Sequence, residues 1–283
     1  MIPAEFDYVR ASSIDEAVAA LAGAGDAKLL AGGQSLLPLL RLRLAYPEVV
    51  VDLGRVDALR GIREEGDRLV IGAMTTHAEV LGSDAVRRHA PLVAEATATV
   101  ADRQVRHRGT FGGSLAHADP AGDLPAVALA LDAEFVVQGP SGRRTVPASE
   151  FFTDYLQSAL APDDVLVEVS LPKLGDGWGV HYEKFHRVAQ AWAIVGVAAA
   201  VRRSNGSIAE ARIGLTNMGP TPVRATAVEQ ALAGGAASQE AVRQAAARAT
   251  AGARPTSDLH AQADYRNHLV QVLTARAVLK AAG

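Results

Sequence analysis

Two short stretches of small residues carry the pattern most suited to chemistry in this chain. Ala31-Gly32-Gly33-Gln34-Ser35 runs at once into the apolar segment Leu36 to Leu40, and Thr110-Phe111-Gly112-Gly113-Ser114 repeats the theme later. Glycine has no Cβ to hold backbone amides away from an anion, and it reaches the positive φ of a tight turn. Successive N–H groups in such a turn form a nest for negative oxygens, and a helix opening behind it adds partial positive charge. One glycine pair is an ordinary turn. Two of them, each ending in serine, suit a pyrophosphate gripped from both sides by backbone, without a lysine or a metal. A Cβ at Gly33 or Gly113 is then expected to fill the place of the anion.

Rival motifs fail on spacing. A dinucleotide fingerprint needs G-x-G-x-x-G, but Gly23-Ala24-Gly25 is followed by Lys28 where the third glycine belongs. Asp52 imitates the ribose-binding acid by its distance from Gly32, yet the fingerprint is missing. Neither glycine pair is followed by Lys-Ser or Lys-Thr, so no Walker loop is present. His117 and Asp119, with His77 earlier, offer two ligand types without a third at usable spacing, and no metal site is expected. No serine–histidine–acid or paired-carboxylate set stands out, and no catalytic side chain is assigned.

The elements that must position these stretches are legible from periodicity. Ser13 and Glu16 form an expected capping box ahead of a helix carrying Ile14, Ala17, Val18 and Leu21. Residues 28–31 and 49–53 read as strands, the second buried on both faces, so the first glycine pair lies at a strand end in a β-α-β lobe. Residues 68–73 read as a strand, a hydroxyl-capped helix opens near Thr76, and 91–101 continues as helix. Residues 102–122 read as one long polar loop, with Asp123 as the N-cap of the next helix. A hairpin at 134–146 and a strand at 164–171 follow. After a boundary near Gly175-Asp176-Gly177, strands near 180–187, 192–202 and 208–216 turn at Asn205-Gly206. Helices near 223–233, 238–250 and 262–281 finish the chain. The expectation is an α+β chain with lobes at 1–56, 57–175 and 178–283.

Composition narrows the function. The 283 residues are 49% hydrophobic, with mean hydropathy +0.10 and net charge -3, which excludes a disordered chain and disfavours a nucleic-acid or anionic-membrane binder. With no cysteine, this chain has no disulfide, thiolate zinc site, iron–sulfur ligand or cysteine nucleophile. No basic-then-apolar leader opens the sequence, and the longest apolar run, Ala189 to Val201, is too short to span a bilayer. A cytoplasmic protein is expected.

Ala31 to Leu44 and Arg103 to Asp132, which includes Thr110 to Ser114 and Ala118-Asp119-Pro120, resemble the FAD-binding medium subunit of molybdenum hydroxylases. This is the group of aerobic carbon monoxide dehydrogenase and the xanthine dehydrogenase relatives. Gly219 to Ala225 and Ser257 to Arg266 resemble that family's C-terminal lobe, so the similarity runs nearly end to end. The resemblance implies a two-lobed FAD-binding domain of the vanillyl-alcohol-oxidase-like type plus a C-terminal α+β domain. It implies a large partner subunit with a molybdopterin cytosine dinucleotide centre, a small partner with two [2Fe–2S] clusters, and a dimer of heterotrimers. The chain would pass electrons from those clusters through FAD to an external acceptor while the complex oxidises carbon monoxide, an aldehyde or an N-heterocycle. The alternatives are a self-sufficient FAD-dependent oxidase or reductase of the same superfamily, and a scaffold without flavin.

Carried onto matching positions, the resemblance makes Ala31, Gly32, Gly33, Gln34 and Ser35, with Thr110, Phe111, Gly112, Gly113 and Ser114, the pyrophosphate loops, the two serine hydroxyls adding donors. Asp123 matches a family FAD contact and is equally a helix cap. Leu166 matches an apolar position whose backbone meets the cofactor, against the reading of a core leucine. Lys184 and Trp192 fall near a lysine and an aromatic that approach the flavin, where a cation would favour the negatively charged reduced ring. Ala191 and Trp192 depart from the usual aspartate and tyrosine, and a buried core tryptophan is the other reading. Arg41 and Arg43 are a solvated helix face first, and a contact with FAD or a partner subunit second.

Overall fold

A computed structural model describes residues 2–283. Its first lobe is a parallel three-stranded sheet of order β1-β3-β2, from β1 (Asp7–Arg10), β2 (Ala27–Leu30) and β3 (Val49–Asp52). The crossovers carry α1 (Ile14–Ala22) and α2 (Leu36–Arg41). Strand β1 has no apolar run and is mostly exposed, which is why hydropathy did not reveal it. Helix α1 buries Ile14, Ala17, Val18 and Leu21, the four residues its period selects. Ser13 Oγ accepts from Glu16 N at 3.1 Å, but Glu16 Oε2 turns to Ser12 N at 2.8 Å and Ser12 Oγ at 2.6 Å. The reciprocal half of the expected capping box is displaced by one residue, because Ser12 offers two donors where Ser13 would offer one.

The second lobe is an antiparallel five-stranded sheet of order β4-β5-β10-β6-β7. It comprises β4 (Ile62–Glu65), β5 (Arg68–Gly72), β6 (Glu134–Gly139), β7 (Gly142–Pro147) and, at its centre, β10 (Val165–Pro172). A small hairpin of β8 (Phe152–Asp154) and β9 (Gln157–Ser158) stands apart. Between β5 and β6 run α3 (His77–Gly82), α4 (Asp84–His89), α5 (Pro91–Ala98), α6 (Arg103–Arg106), α7 (Phe111–Ala116) and α8 (Asp123–Ala130), and α9 (Ala148–Phe151) follows β7. The expected long loop over 102–122 is thus two short helices. Asp102 caps α6 by accepting from Val105 N at 2.8 Å, and Thr110 caps α7 by accepting from Gly113 N at 3.2 Å. Buried Phe111 and Leu115 anchor α7, outweighing the poor helix propensity of its two glycines. Asp123 is not the N-cap of α8 either. Gly122 holds that position, and the Asp123 side chain turns away into the protein.

The third unit is an antiparallel sheet of β11 (Trp178–Phe185), β12 (Val195–Ser204), β13 (Ser207–Thr216) and β14 (Val223–Arg224), followed by α10 (Thr226–Leu232), α11 (Gln239–Ala246) and α12 (Ala263–Ala282). Strand β12 is apolar from Val195 to Val201 because both faces of that stretch are covered. Val195, Val197, Ala199 and Val201 join the core formed with α10–α12, while Ala198, Ala200 and Tyr182 of β11 join the core of the second lobe. The architecture is the expected α+β arrangement, strands followed by a block of helices. Among the described residues, no helix is long and apolar enough to cross a membrane.

Candidate functional site

The two glycine stretches, far apart in sequence, are packed against each other. A Cβ on Gly32 would overlap the Arg108 carbonyl oxygen and lie 2.7 Å from Gly109 Cα. One on Gly113 would lie 3.5 Å from Ala31 Cβ. The second stretch is held by backbone pairing with the turn after β5. His77 N donates to Gly109 O at 2.9 Å, Phe111 N to Thr75 O at 2.8 Å and Gly112 N to Ala73 O at 2.9 Å. Ala73 N in turn donates to Val167 O at 2.9 Å, at the bulge between Leu166 and Glu168. Leu166 itself is a buried core residue of β10, one position from this chain of bonds.

The stretches differ in what they leave free. The amides of Gly32, Gly33, Gln34 and Ser35 donate to no backbone or side-chain acceptor among the described residues. Gly33 has φ of 73°, which turns the chain so that consecutive N–H groups come to one side, just ahead of α2. The amides of Phe111, Gly112, Gly113 and Ser114, by contrast, are all bonded within the protein, and the Ser114 hydroxyl donates to Phe111 O at 2.9 Å. The expectation of a second nest of free amides is therefore corrected: α7 uses its own N–H groups, and the hydroxyl oxygens of Thr110 and Ser114 remain as polar groups. The expected role of a Cβ is corrected too. On Gly33 it would meet Leu37 Cδ1 at 2.8 Å and on Gly113 Thr110 Oγ1 at 2.6 Å, so both would strike protein.

A buried polar network joins the second lobe to β11. Lys184 Nζ donates to Asp123 Oδ2 at 2.8 Å and to Thr99 O at 3.1 Å, with both charged side chains almost wholly enclosed. Tyr182 donates its hydroxyl hydrogen to Asp123 Oδ1 at 2.7 Å and has Thr216 Oγ1 at 3.3 Å. Burial pushes the Asp123 carboxyl up, with Lys184 and Tyr182 pulling it back, and burial raises the Tyr182 phenol well above its ordinary value. Both Asp123 oxygens are thus occupied inside the protein, and the Lys184 charge is balanced. The cation expected at Lys184 is held in an ion pair. Tyr182 was missed, although it stands two residues before Lys184 and so on the same face of β11.

Trp192 is 55% exposed, in the crossover from β11 to β12, so the reading of a core tryptophan is overturned. That crossover is tied to the second lobe by Gln190 Nε2 donating to Asp102 Oδ2 at 2.6 Å. His117 Nε2 lies 3.9 Å from Asp119 Oδ2. His77 is apart from both, buried behind Gly109 with Nδ1 unpartnered.

Burial, helped by the Arg106 charge, lowers the His77 pKa from 6.5 to about 4. Between those values the unfolded chain binds a proton that the folded chain refuses, so stability falls on acidification by up to about 1.4 kcal/mol per pH unit. Urea unfolding followed across this window should show that slope in the wild type and lose it in His77→Gln. An unchanged slope would show that His77 is protonated in the folded chain.

Residues 4–174 match the family described as the FAD binding domain in molybdopterin dehydrogenase, and residues 180–281 match the CO dehydrogenase flavoprotein C-terminal domain. The chain is 45% identical over 279 residues to the carbon monoxide dehydrogenase medium chain of Hydrogenophaga pseudoflava, covering 98% of this chain and 97% of that one. It is 39% identical over 283 residues to the alpha subunit of the 6-hydroxypseudooxynicotine dehydrogenase complex of Paenarthrobacter nicotinovorans, covering 99% and 96%. The solved carbon monoxide dehydrogenase of Hydrogenophaga pseudoflava that lacks the Mo-pyranopterin moiety superposes with a TM-score of 0.97 at 47% identity, over 99% of this chain and 98% of that one.

Proposed function

The chain belongs to the FAD-binding medium-chain family of the molybdopterin dehydrogenases, and we propose that it is the electron-relaying subunit of such a complex. In this reading it takes electrons from [2Fe–2S] clusters on a small partner and delivers them to an external acceptor. A large partner with a molybdopterin cytosine dinucleotide oxidises carbon monoxide, an aldehyde or an N-heterocycle. The complex is a cytoplasmic dimer of heterotrimers. The observation that carries the reading is the run of unbonded amides at Gly32–Ser35, a donor set made for diphosphate oxygens.

FAD, when bound, supplies the redox chemistry, and this chain's residues hold it. The amides of Gly32, Gly33, Gln34 and Ser35 would bind the pyrophosphate, with the Thr110 hydroxyl opposite them and the Ser114 hydroxyl joining only on turning from Phe111 O. Ala31, Phe111, Gly112 and Gly113 would form the close-packed floor. Leu166 would approach through its backbone, Asp123 and Lys184 would fix the joint beside the ring, and Trp192 would shield it. Two relatives whose names specify chemically unlike substrates match this chain almost end to end, which supports a substrate chosen on another polypeptide.

Affinity purification through a tag on this chain tests the reading. A complex containing flavin, molybdenum and iron–sulfur absorption is the expected product. A flavin-loaded chain that oxidises an organic substrate alone would falsify the relay and favour a self-sufficient oxidase.

A further inference from the structure

Helix α2 ends on an unusual corner. Arg43 N donates to Leu40 O at 3.1 Å and Leu44 N to Leu39 O at 2.9 Å, the two bonds of a Schellman cap. Arg43 therefore occupies the left-handed position, with φ of 56°, where glycine is the usual residue. The cap normally tucks its next residue onto the helix. Here Leu44 is instead 68% exposed, flanked by Leu42 at 55% and Tyr46 at 63%, with Leu37 and Ile2 also exposed. Arg41 and Arg43, exposed in the same segment, have no carboxylate partner among the described residues. The one recorded bond of Arg43 is Nε to Ile2 O at 3.3 Å.

We infer that this corner, Leu37 to Tyr46 with Ile2 beside it, is a docking face for another polypeptide of the complex, one presenting an apolar surface rimmed by carboxylates. This rests on the reading of the chain as one subunit of a larger assembly. An apolar cluster of this kind marks an interaction surface. Its charge selects the partner. Residues 31–47 contain two arginines and no carboxylate, so a two-fold contact with a second copy would set guanidinium against guanidinium. An acidic rim answers both charges, and an apolar centre covers the leucines and the tyrosine. The face runs from Leu37, which packs beside Gly33 at the start of α2, to the corner beyond the helix, so the partner would lie close to the candidate cofactor loop.

The test compares the full chain, free and assembled with its molybdenum and iron–sulfur subunits. Hydroxyl-radical footprinting should show Leu42, Leu44 and Tyr46 labelled in the free chain and protected in the complex. Leu44→Glu, and Arg41→Glu with Arg43→Glu, should each weaken assembly by about tenfold or more, while the melting of the free variants stays unchanged. Assembly with equal affinity in the variants, or protection only elsewhere, overturns the assignment and leaves the proposed function standing. A chain that assembles with neither subunit defeats both. A dimer of the chain alone, or binding to anionic phospholipid vesicles, dissolved by the same substitutions, gives the face a different occupant and also overturns it.

Discussion

Gly32→Ala should purify with its flavin content reduced about tenfold or more and with a lower melting temperature, since overpacking of this kind costs about 1–3 kcal/mol. The added methyl has nowhere to go. It would overlap the Arg108 carbonyl oxygen and crowd Gly109 Cα, and both are backbone atoms fixed by the pairing of 109–112 with 73–77. The strand end must therefore withdraw from the second lobe, and the run of amides moves with it. Gly175→Ala, where the methyl enters open space, is the control and should retain its flavin. Flavin absorbance relative to protein, read on the complex, decides the matter. Full occupancy and unchanged melting in Gly32→Ala would mean that the two stretches need not touch to hold FAD.

The second large effect concerns the ion pair between Asp123 and Lys184. Lys184→Met leaves the Asp123 carboxylate enclosed with only the Tyr182 hydroxyl bonded to it, and such an uncompensated buried charge costs about 3–5 kcal/mol. Asp123→Asn strands the lysine in the same way. The double variant should recover part of the loss, with a coupling energy of about 0.5–3 kcal/mol. The sign with pH follows. Without its cation, Asp123 is raised further above its unfolded value, so the folded chain holds a proton that the unfolded chain releases as pH rises. The deficit of Lys184→Met should therefore be smallest in acid and grow as the pH rises toward neutral. Urea unfolding of the three variants in acid and at neutral pH measures it. Additive costs with no pH dependence would remove the pair from any role in joining the lobes.

Much of this architecture was legible because short-range pattern and burial agree. The period of α1, the hairpin expected at 134–146 and the three long strands of the third unit appear within a few residues of where hydropathy and turn residues put them, while the short strand β14 opens a stretch expected as helix. The segment 102–122 was not legible as helix, since glycine and polar residues lower propensity and only the caps at Asp102 and Thr110 betray the turns. In the site, the glycine pairs were visible, but the difference between them was not. Whether an amide is free depends on which strand lies beside it, and Ala73, Thr75 and Thr110 take up the donors of α7 through contacts remote in sequence. The inward turn of Asp123 was hidden for the same reason, because its partners lie on β11. The double core around β12 left no alternation to read, since Val195 to Val201 is apolar whichever way each residue faces.

The order β4-β5-β10-β6-β7 has a consequence for synthesis on the ribosome. The strand at the middle of the sheet is the last of the five to emerge. Until residue 172 has been translated, β5 and β6 cannot be joined, and each presents an unpaired edge of buried apolar residues. Nascent chains stalled or truncated before β10 therefore hold two open sheet edges at once, a state prone to aggregation and to chaperone capture. A cell making this protein has to shield about a hundred residues of half-built sheet, from β5 to β10, before one strand of eight residues closes it.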